Sequence, residues 1–350
     1  MRWIGKSGIL IVASSFFLLF RISSFASGAG ELSGKVAFLK DGEVWICDLH
    51  GKEMKQITND SGKVDDFLFS PNLKYLAYAK IVDYVDEPGL WEDSEKVPQR
   101  AVCSIVIMDL GTQEIKRQRM PTEDTWIYIS KWLPGDKLLY YSASGFDVSG
   151  FYAWDIRSGS KEEIEYNKGH VISNADYSAD GSLTVYVDDA GLGKDYRENL
   201  HLVNSKTNED RILVSKRSIA NQRISNDKNQ IAFVEVESVG KKYFDNLWVY
   251  DISRNSLDSL RQEAAGARVI SWSFDDRHIG MFFSSEALVV DVKDPSKIHR
   301  IHGTEFAWTE DGRIIFSQGN DIYLYDLGLG TSELLLKGAA KPAFLWKHDD

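Results

Sequence analysis

The densest group of side chains able to do chemistry lies between residues 83 and 95. Asp83, Tyr84, Asp86, Glu87, Trp91, Glu92, Asp93 and Glu95 stand close together there. Aromatic rings beside carboxylates suit recognition, because rings offer contact area at low entropic cost while charges steer the encounter. The plainer alternative is a solvated loop that packs Trp91 against its own flank. Calcium needs about six to eight oxygens in a spaced loop, and no Asp-x-Asp-x-Asp spacing is present. The seven histidines, His50, His170, His201, His278, His299, His302 and His348, are scattered, and nothing in their spacing pairs them into a metal site. A Gly-x-Ser-x-Gly nucleophile elbow is missing, and Gly191-Leu192-Gly193 lacks the strand–helix context of a phosphate loop. No catalytic residue, metal ligand or cofactor is therefore assigned.

What must position these residues is a repeated strand. Residues 44–49 read VWICDL, and the phrase returns at 105–110 (IVIMDL), 151–156 (FYAWDI), 200–205 (LHLVNS), 247–252 (LWVYDI), 287–292 (ALVVDV) and 322–327 (IYLYDL). Short apolar, aromatic-rich runs are buried strands, and a closing Asp suits a turn because its carboxylate can accept from backbone groups ahead of it. Recurring from unit to unit, Asp48, Asp109, Asp155, Asp251, Asp291 and Asp326 cannot mark one active site. A second phrase alternates with the first, as in FLFSPNLKYLAY at 67–78, KWLPGDKLLYY at 131–141 and FAWTEDGRIIF at 306–316. Ser-Pro-Asn, Pro-Gly-Asp and Glu-Asp-Gly are turn chemistry between strands, so each copy is a hairpin. A polar fourth strand follows each Asp, as at 114–118 and 256–260. The unit is four antiparallel strands. Its length runs from 61 residues (Asp48 to Asp109) down to 35 (Asp291 to Asp326), bracketing the roughly 40–45 residues of a propeller blade. Trp132, Trp272 and Trp308 in the hairpins, and Trp45 and Trp248 in the Asp-closed strands, are expected in the core.

The alternation of a Ser-Pro-Asp-Gly-like hairpin with an Ile-Tyr-Val-x-Asp-Leu-like strand resembles the TolB-type propeller repeat, a relative of WD repeats. The resemblance covers nearly all of 34–350 and implies an all-β propeller of four-stranded antiparallel blades. TolB itself carries an α/β domain ahead of its propeller, and only eight residues separate the expected cleavage point from the first strand here. Such propellers host unrelated activities, so the resemblance specifies a fold and not a reaction. Propeller lyases use a metal-binding histidine cluster, and prolyl-oligopeptidase relatives append an α/β domain. Neither feature is seen in this sequence. Residues 343–346 begin a seventh hairpin whose second strand is missing, and residues 35–39 supply it from the other end. Seven blades, one of them composite, are expected, with six blades and an irregular end as the alternative.

In a propeller the second-to-third connection of each blade shares a face with the blade-to-blade loops. These connections are expected to be long in four successive blades, at 81–102, 142–150, 188–199 and 237–246, and tight in the others. They would raise a rim carrying Tyr84, Trp91, Phe146, Tyr196 and Tyr243, with Asp83, Asp86, Glu92 and Asp93 around them.

The 350 residues are 43% hydrophobic and 12% aromatic, ample for a core. Residues 1–26 carry the pattern of a secretory signal: Arg2 and Lys6, an apolar run over 8–20, then small residues with Ser24-Phe25-Ala26 at the cut. The apolar run is short for a membrane span of about 20 residues, though retention as an uncleaved anchor is the alternative. Residues 27–33 read as a linker. Losing Arg2, Lys6 and Arg21 takes the formal charge from −11 to −14, which argues against nucleic acid or an anionic membrane as partner. A monomer is expected, periplasmic or extracellular, binding a protein, peptide or glycan without catalysis. The alternative is a hydrolase or lyase acting on a polysaccharide or small ester at the channel mouth. Two cysteines are too few for a disulfide scaffold. Cys47 reads as a small core hydrophobe, with a Cys47–Cys103 bridge the alternative.

Overall fold

The computed structural model describes residues 32–86, 99–120, 126–144, 147–165, 172, 174–190 and 196–346. They form 28 strands, β1 to β28 in chain order, in seven four-stranded antiparallel sheets. Blade 1 is built from both ends of the chain. Its order is β28 (Ala340–Leu345), β1 (Lys35–Lys40), β2 (Glu43–Cys47), β3 (Lys55–Gln56). Blades 2 to 7 then take four consecutive strands each, from β4 to β27. The seven-bladed, composite closure is as expected. β1 pairs with β28 through Lys35↔Leu345, Val36↔Phe344 and Ala37↔Ala343, and Gly34 N–H donates to Leu345 O at 2.7 Å.

Local chemistry explains why each unit turns where it does. Asp41 and Gly42 join β1 to β2 with φ of 53° and 67°, the doubly positive geometry of a hairpin turn that matches strand twist. At the end of every third strand the repeated Asp caps the next turn. Asp48 Oδ1 accepts from His50 N (3.0 Å) and Lys52 N (2.7 Å), and Asp291 Oδ1 from Lys293 N (2.9 Å) and Asp294 N (3.1 Å). Asn204, the one substitution, does the same for Lys206 and Thr207. The first hairpin of most blades uses a buried hydroxyl. Ser70, Ser178, Ser225 and Ser273 each accept from the first residue of the second strand at 2.9 Å and donate to an Asn or Asp two positions on. Buried hydroxyls must be satisfied, and this arrangement does so within the turn.

Six apolar clusters fill six of the seven blade-to-blade seams. Blade 1 packs Ala37, Ile46 and Leu345 toward blade 2 and Val36, Phe38 and Cys47 toward blade 7. Between blades 3 and 4 the link is polar, with Lys131 Nζ donating to Ala175 O and lying 5.8 Å from the Tyr177 ring centroid. Trp132, Trp272 and Trp308 are buried, and each indole reaches back to the preceding blade, donating to Leu68 O (3.1 Å), Arg223 O (3.1 Å) and Ser271 Oγ (2.9 Å). Trp45 and Trp248 instead sit half-buried at cluster edges, the latter under Lys216 Nζ at 3.9 Å. Cys47 and Cys103 are free thiols on different blades. Burial pushes the Cys47 thiol up to about 12, which suits the core role.

Deleting residues 35–39 removes fully buried Val36, Ala37 and Phe38, strips β28 of its partner and leaves β2 paired on the β3 side alone. Lost burial alone is worth at least about 3 kcal/mol. The whole ring should melt in one transition at a lower temperature by calorimetry, and an unchanged midpoint would count against composite closure.

Candidate functional site

Antiparallel order puts the first-to-second and third-to-fourth turns on one face, here called the turn face. The second-to-third connections lie on the other. On that other face the described residues of the four segments expected as long loops are largely strand. β5 (Tyr75–Asp86) pairs with β6 (Gln99–Asp109) as far as Asp86↔Gln99, and β9 (Lys137–Ser144) with β10 (Asp147–Asp155) as far as Ser144↔Asp147. β13 (Leu183–Ala190) follows β14 (Arg197–Asn204) to Ala190↔Arg197. β17 (Gln230–Val239) follows β18 (Lys242–Asp251) to Val239↔Lys242, closed by Gly240 at φ 66°. The correction has a simple cause. Backbone groups left in an open loop need partners, and β-rich segments such as IVDYVD at 81–86 supply them by continuing the ladder. Blades 1, 6 and 7 keep short pairs: β1 with β2, β21 (His278–Phe282) with β22 (Glu286–Asp291), and β25 (Ile314–Gln318) with β26 (Asp321–Asp326). One side of this face is therefore elongated.

The predicted rim residues fall unevenly on it. Tyr84 and Tyr243 are 54% and 62% exposed, each on a different elongated hairpin, and Val239 beside Tyr243 is 56% exposed. Asp83 is exposed and its carboxylate accepts from Tyr84 N at 2.8 Å. Tyr196 is half-buried, its hydroxyl 2.7 Å from Asp189 Oδ1 and 2.9 Å from Glu198 Oε1, so its ring is held rather than free. Hydrogen bonding to Asp189 and then burial hold that phenol well above its ordinary value. Asp86 lies on β5 at a position whose side chain is outside the described residues, as are Trp91, Glu92, Asp93 and Phe146 entirely. His201 stacks on Tyr186 (centroids 4.6 Å apart) with its ring nitrogens 2.8 Å from Asp210 and 3.1 Å from Asp188. Among the described residues no three His, Cys, Asp or Glu side chains converge as a metal site.

A second feature, on the turn face, escaped the sequence reading. A cavity of about 740 Å³ at the channel mouth is lined by first strands and turns of five successive blades, 2 to 6. Its distinctive residues share one place in the repeat, two positions before the turn residue that is Ser70, Leu133, Ser178, Ser225, Ser273 and Thr309 in successive blades. Around the ring that place holds Leu68, Lys131, Asp176, Arg223, Ser271 and Ala307. Lys131 precedes Trp132, Asp176 precedes Tyr177 and Arg223 precedes Ile224. Asp176 Oδ2 accepts from Ile224 N at 2.8 Å, and Arg223 Nη1 donates to Gln222 O at 2.7 Å. Burial raises the Asp176 carboxyl above its usual range, opposed by the nearby Arg223. Burial also lowers the Lys131 ammonium to about 8, with Arg223 adding to the effect and Asp176 opposing it. At the cavity edge Asp136 pairs with Arg157 at 2.7 Å and Asp180 with Lys228 at 2.9 Å. A neighbouring cavity of about 730 Å³ shares Ser271 and Trp272 but is aromatic, lined by Phe274, Phe282, Phe306 and Phe344. Aligning the repeats and asking which copy breaks its own pattern would have found Lys131, Asp176 and Arg223.

No known family model and no curated protein matches the sequence. Solved structures of similar shape include TolB from Acinetobacter baumannii, at 14% identity over 90% of this chain and 67% of that one, with a TM-score of 0.44. An oligogalacturonate lyase in complex with manganese matches at 10% identity over 87% and 86% of the two chains, TM-score 0.50. A eukaryotic initiation factor matches at 10% over 91% and 100%, TM-score 0.50. Likeness at these identities shows the propeller fold and nothing finer.

Lys131 provides a pH test of the channel mouth. Its folded value of about 8 lies below the ordinary 10.5, so between those values the unfolded chain binds more protons and stability rises with pH. Burying the ammonium therefore destabilises the fold most below pH 8. Lys131→Met should raise the melting temperature at pH 7, with the gain shrinking as the pH climbs from 8 to beyond 10. A gain independent of pH would contradict a desolvated cation.

Proposed function

We propose that this chain is an exported, non-catalytic propeller scaffold that binds a protein, peptide or glycan in the cell envelope or outside the cell. The observation that carries the reading is the elongation of second and third strands in four consecutive blades, with Tyr84 and Tyr243 exposed upon them. Large exposed rings on rigid, hydrogen-bonded strands lose little entropy on binding, and aromatic anchors dominate interface energy. Asp83, Asp86, Glu92 and Asp93 surround them in this reading and tune encounter more than affinity. Export rests on the signal pattern of residues 1–26. Among the described residues no helix is long and apolar enough to cross a membrane.

The other reading is a hydrolase or lyase acting on a polysaccharide or small ester, and the channel mouth with its shifted Lys131 and Asp176 favours it. Turnover abolished by chelation, or by Asp176→Asn, would turn the assignment toward it.

The scaffold reading is tested by capture of partners from envelope extract followed by titration. Trp91→Ala should weaken binding by roughly 1–3 kcal/mol while leaving the melting temperature in place, as for an interface anchor. Stability lost with binding retained would retire the rim as a binding surface.

A further inference from the structure

The charged half of the channel mouth breaks the pattern of its surroundings in a way that packing does not require. At the same repeat position blades 2, 6 and 7 use Leu68, Ser271 and Ala307, so the ring closes without charge there. Lys131, Asp176 and Arg223 are half-buried, and desolvating charges is unfavourable unless partners offset it. Among the described residues neither cation reaches a carboxylate at ion-pair distance, and each donates to a backbone carbonyl. The cavity-lining Asp136 and Asp180, by contrast, do have such partners in Arg157 and Lys228. The outer charges are paired while the inner ones are not, the reverse of what structural economy produces. Asp176 is turned to the main chain of the next blade, where it accepts from Ile224 N. Unused donors on Lys131 and Arg223 are left to line the cavity.

We propose that this half of the channel is a binding site for a small organic anion, whose carboxylate or phosphate group lies between Lys131 and Arg223. The guanidinium fork matches either oxyanion through two parallel hydrogen bonds, and the lysine supplies a point charge beside it. The cavity, at about 740 Å³, falls within the roughly 300–1,000 Å³ of small-ligand sites. Tyr177 and Trp272 line the cavity and offer aromatic surface to the ligand's body, and Trp272 also lines the aromatic cavity beside it. Of the three lining carboxylates, Asp136 and Asp180 are paired with Arg157 and Lys228, which leaves Lys131 and Arg223 against Asp176 and makes the pocket attractive to anions although the chain as a whole is at −11. The site lies on the opposite face from the rim and is independent of it.

The test is calorimetric titration of the whole protein with three probes of one shape: phenylacetate, phenyl phosphate and the neutral phenylacetamide. Binding of phenylacetate but not the amide supports a carboxylate ligand. Binding of phenyl phosphate alone supports a phosphate ligand within the same proposal. Arg223→Gln and Lys131→Met should each weaken the bound anion at least tenfold, and Asp176→Asn should tighten it several-fold by removing the competing charge. Should Arg223→Gln fold poorly, Arg223→Lys keeps the charge and loses the fork, and it too should weaken binding. Equal binding of the amide, no binding of either anion, or affinity unmoved by the Arg223 variants would overturn the proposal, as would loss of binding in Asp176→Asn.

Discussion

The ladder between Lys35–Lys40 and Ala340–Leu345 is the interaction on which the ring depends. Each blade packs only on its neighbours, so a ring of blades is a row whose two ends must be joined. Joining them by backbone hydrogen bonds between the two chain ends makes the last blade as continuous as the others. Val36 and Phe38 face one neighbour and Ala37 the other, so the single strand β1 fills two seams at once. The contact joins residues about three hundred positions apart, so its loop-closure entropy must be offset by the two seams that β1 fills.

How much could be read beforehand depends on the kind of signal each feature leaves. The Asp-closed strands and hydroxyl turns are local and repeated, so seven copies of a weak pattern became a strong one, and the composite blade followed from a strand missing at one end and spare at the other. The elongated hairpins were misread as loops because polar residues such as Asp83, Asp188 and Glu237 alternate with apolar ones there. Such alternation marks a ladder with one wet face as readily as it marks a loop. Lys131, Asp176 and Arg223 are about 45 residues apart, and their convergence exists only once the blades are arranged around an axis. A single charged residue on a predicted strand draws no attention in a chain that is 27% charged.

The seams are not alike. Where a Trp stands at or next to the end of the first strand, as in blades 3, 6 and 7, its indole donates to the preceding blade. Blade 5 has Ile224 at that place, and there Asp176 reaches forward to the Ile224 amide instead. The later blade still donates, but the side chain that spans the seam now comes from the earlier blade, and the connection between blades is kept. Between blades 3 and 4, Lys131 also reaches forward, to Ala175 O. The charged stretch of the channel and the altered seams therefore occupy the same arc of the ring, and variation tolerated in blade-to-blade bonding has become lining for a cavity.

Closure by both ends also gives the molecule a polarity as an attached object. β28 finishes at Leu345 and β1 starts at Lys35, directly opposite one another. Both points lie on the turn face, because β28 is the first strand of its blade and β1 the second. A tether, a fused module or a solid support joined at residue 32 would therefore start from that face. The elongated hairpins would then project away from the point of attachment, free to meet a large body, while the charged channel mouth would look back toward whatever holds the protein. A molecule mounted this way would sample two environments at once, one across open space and one within the narrow gap beneath it.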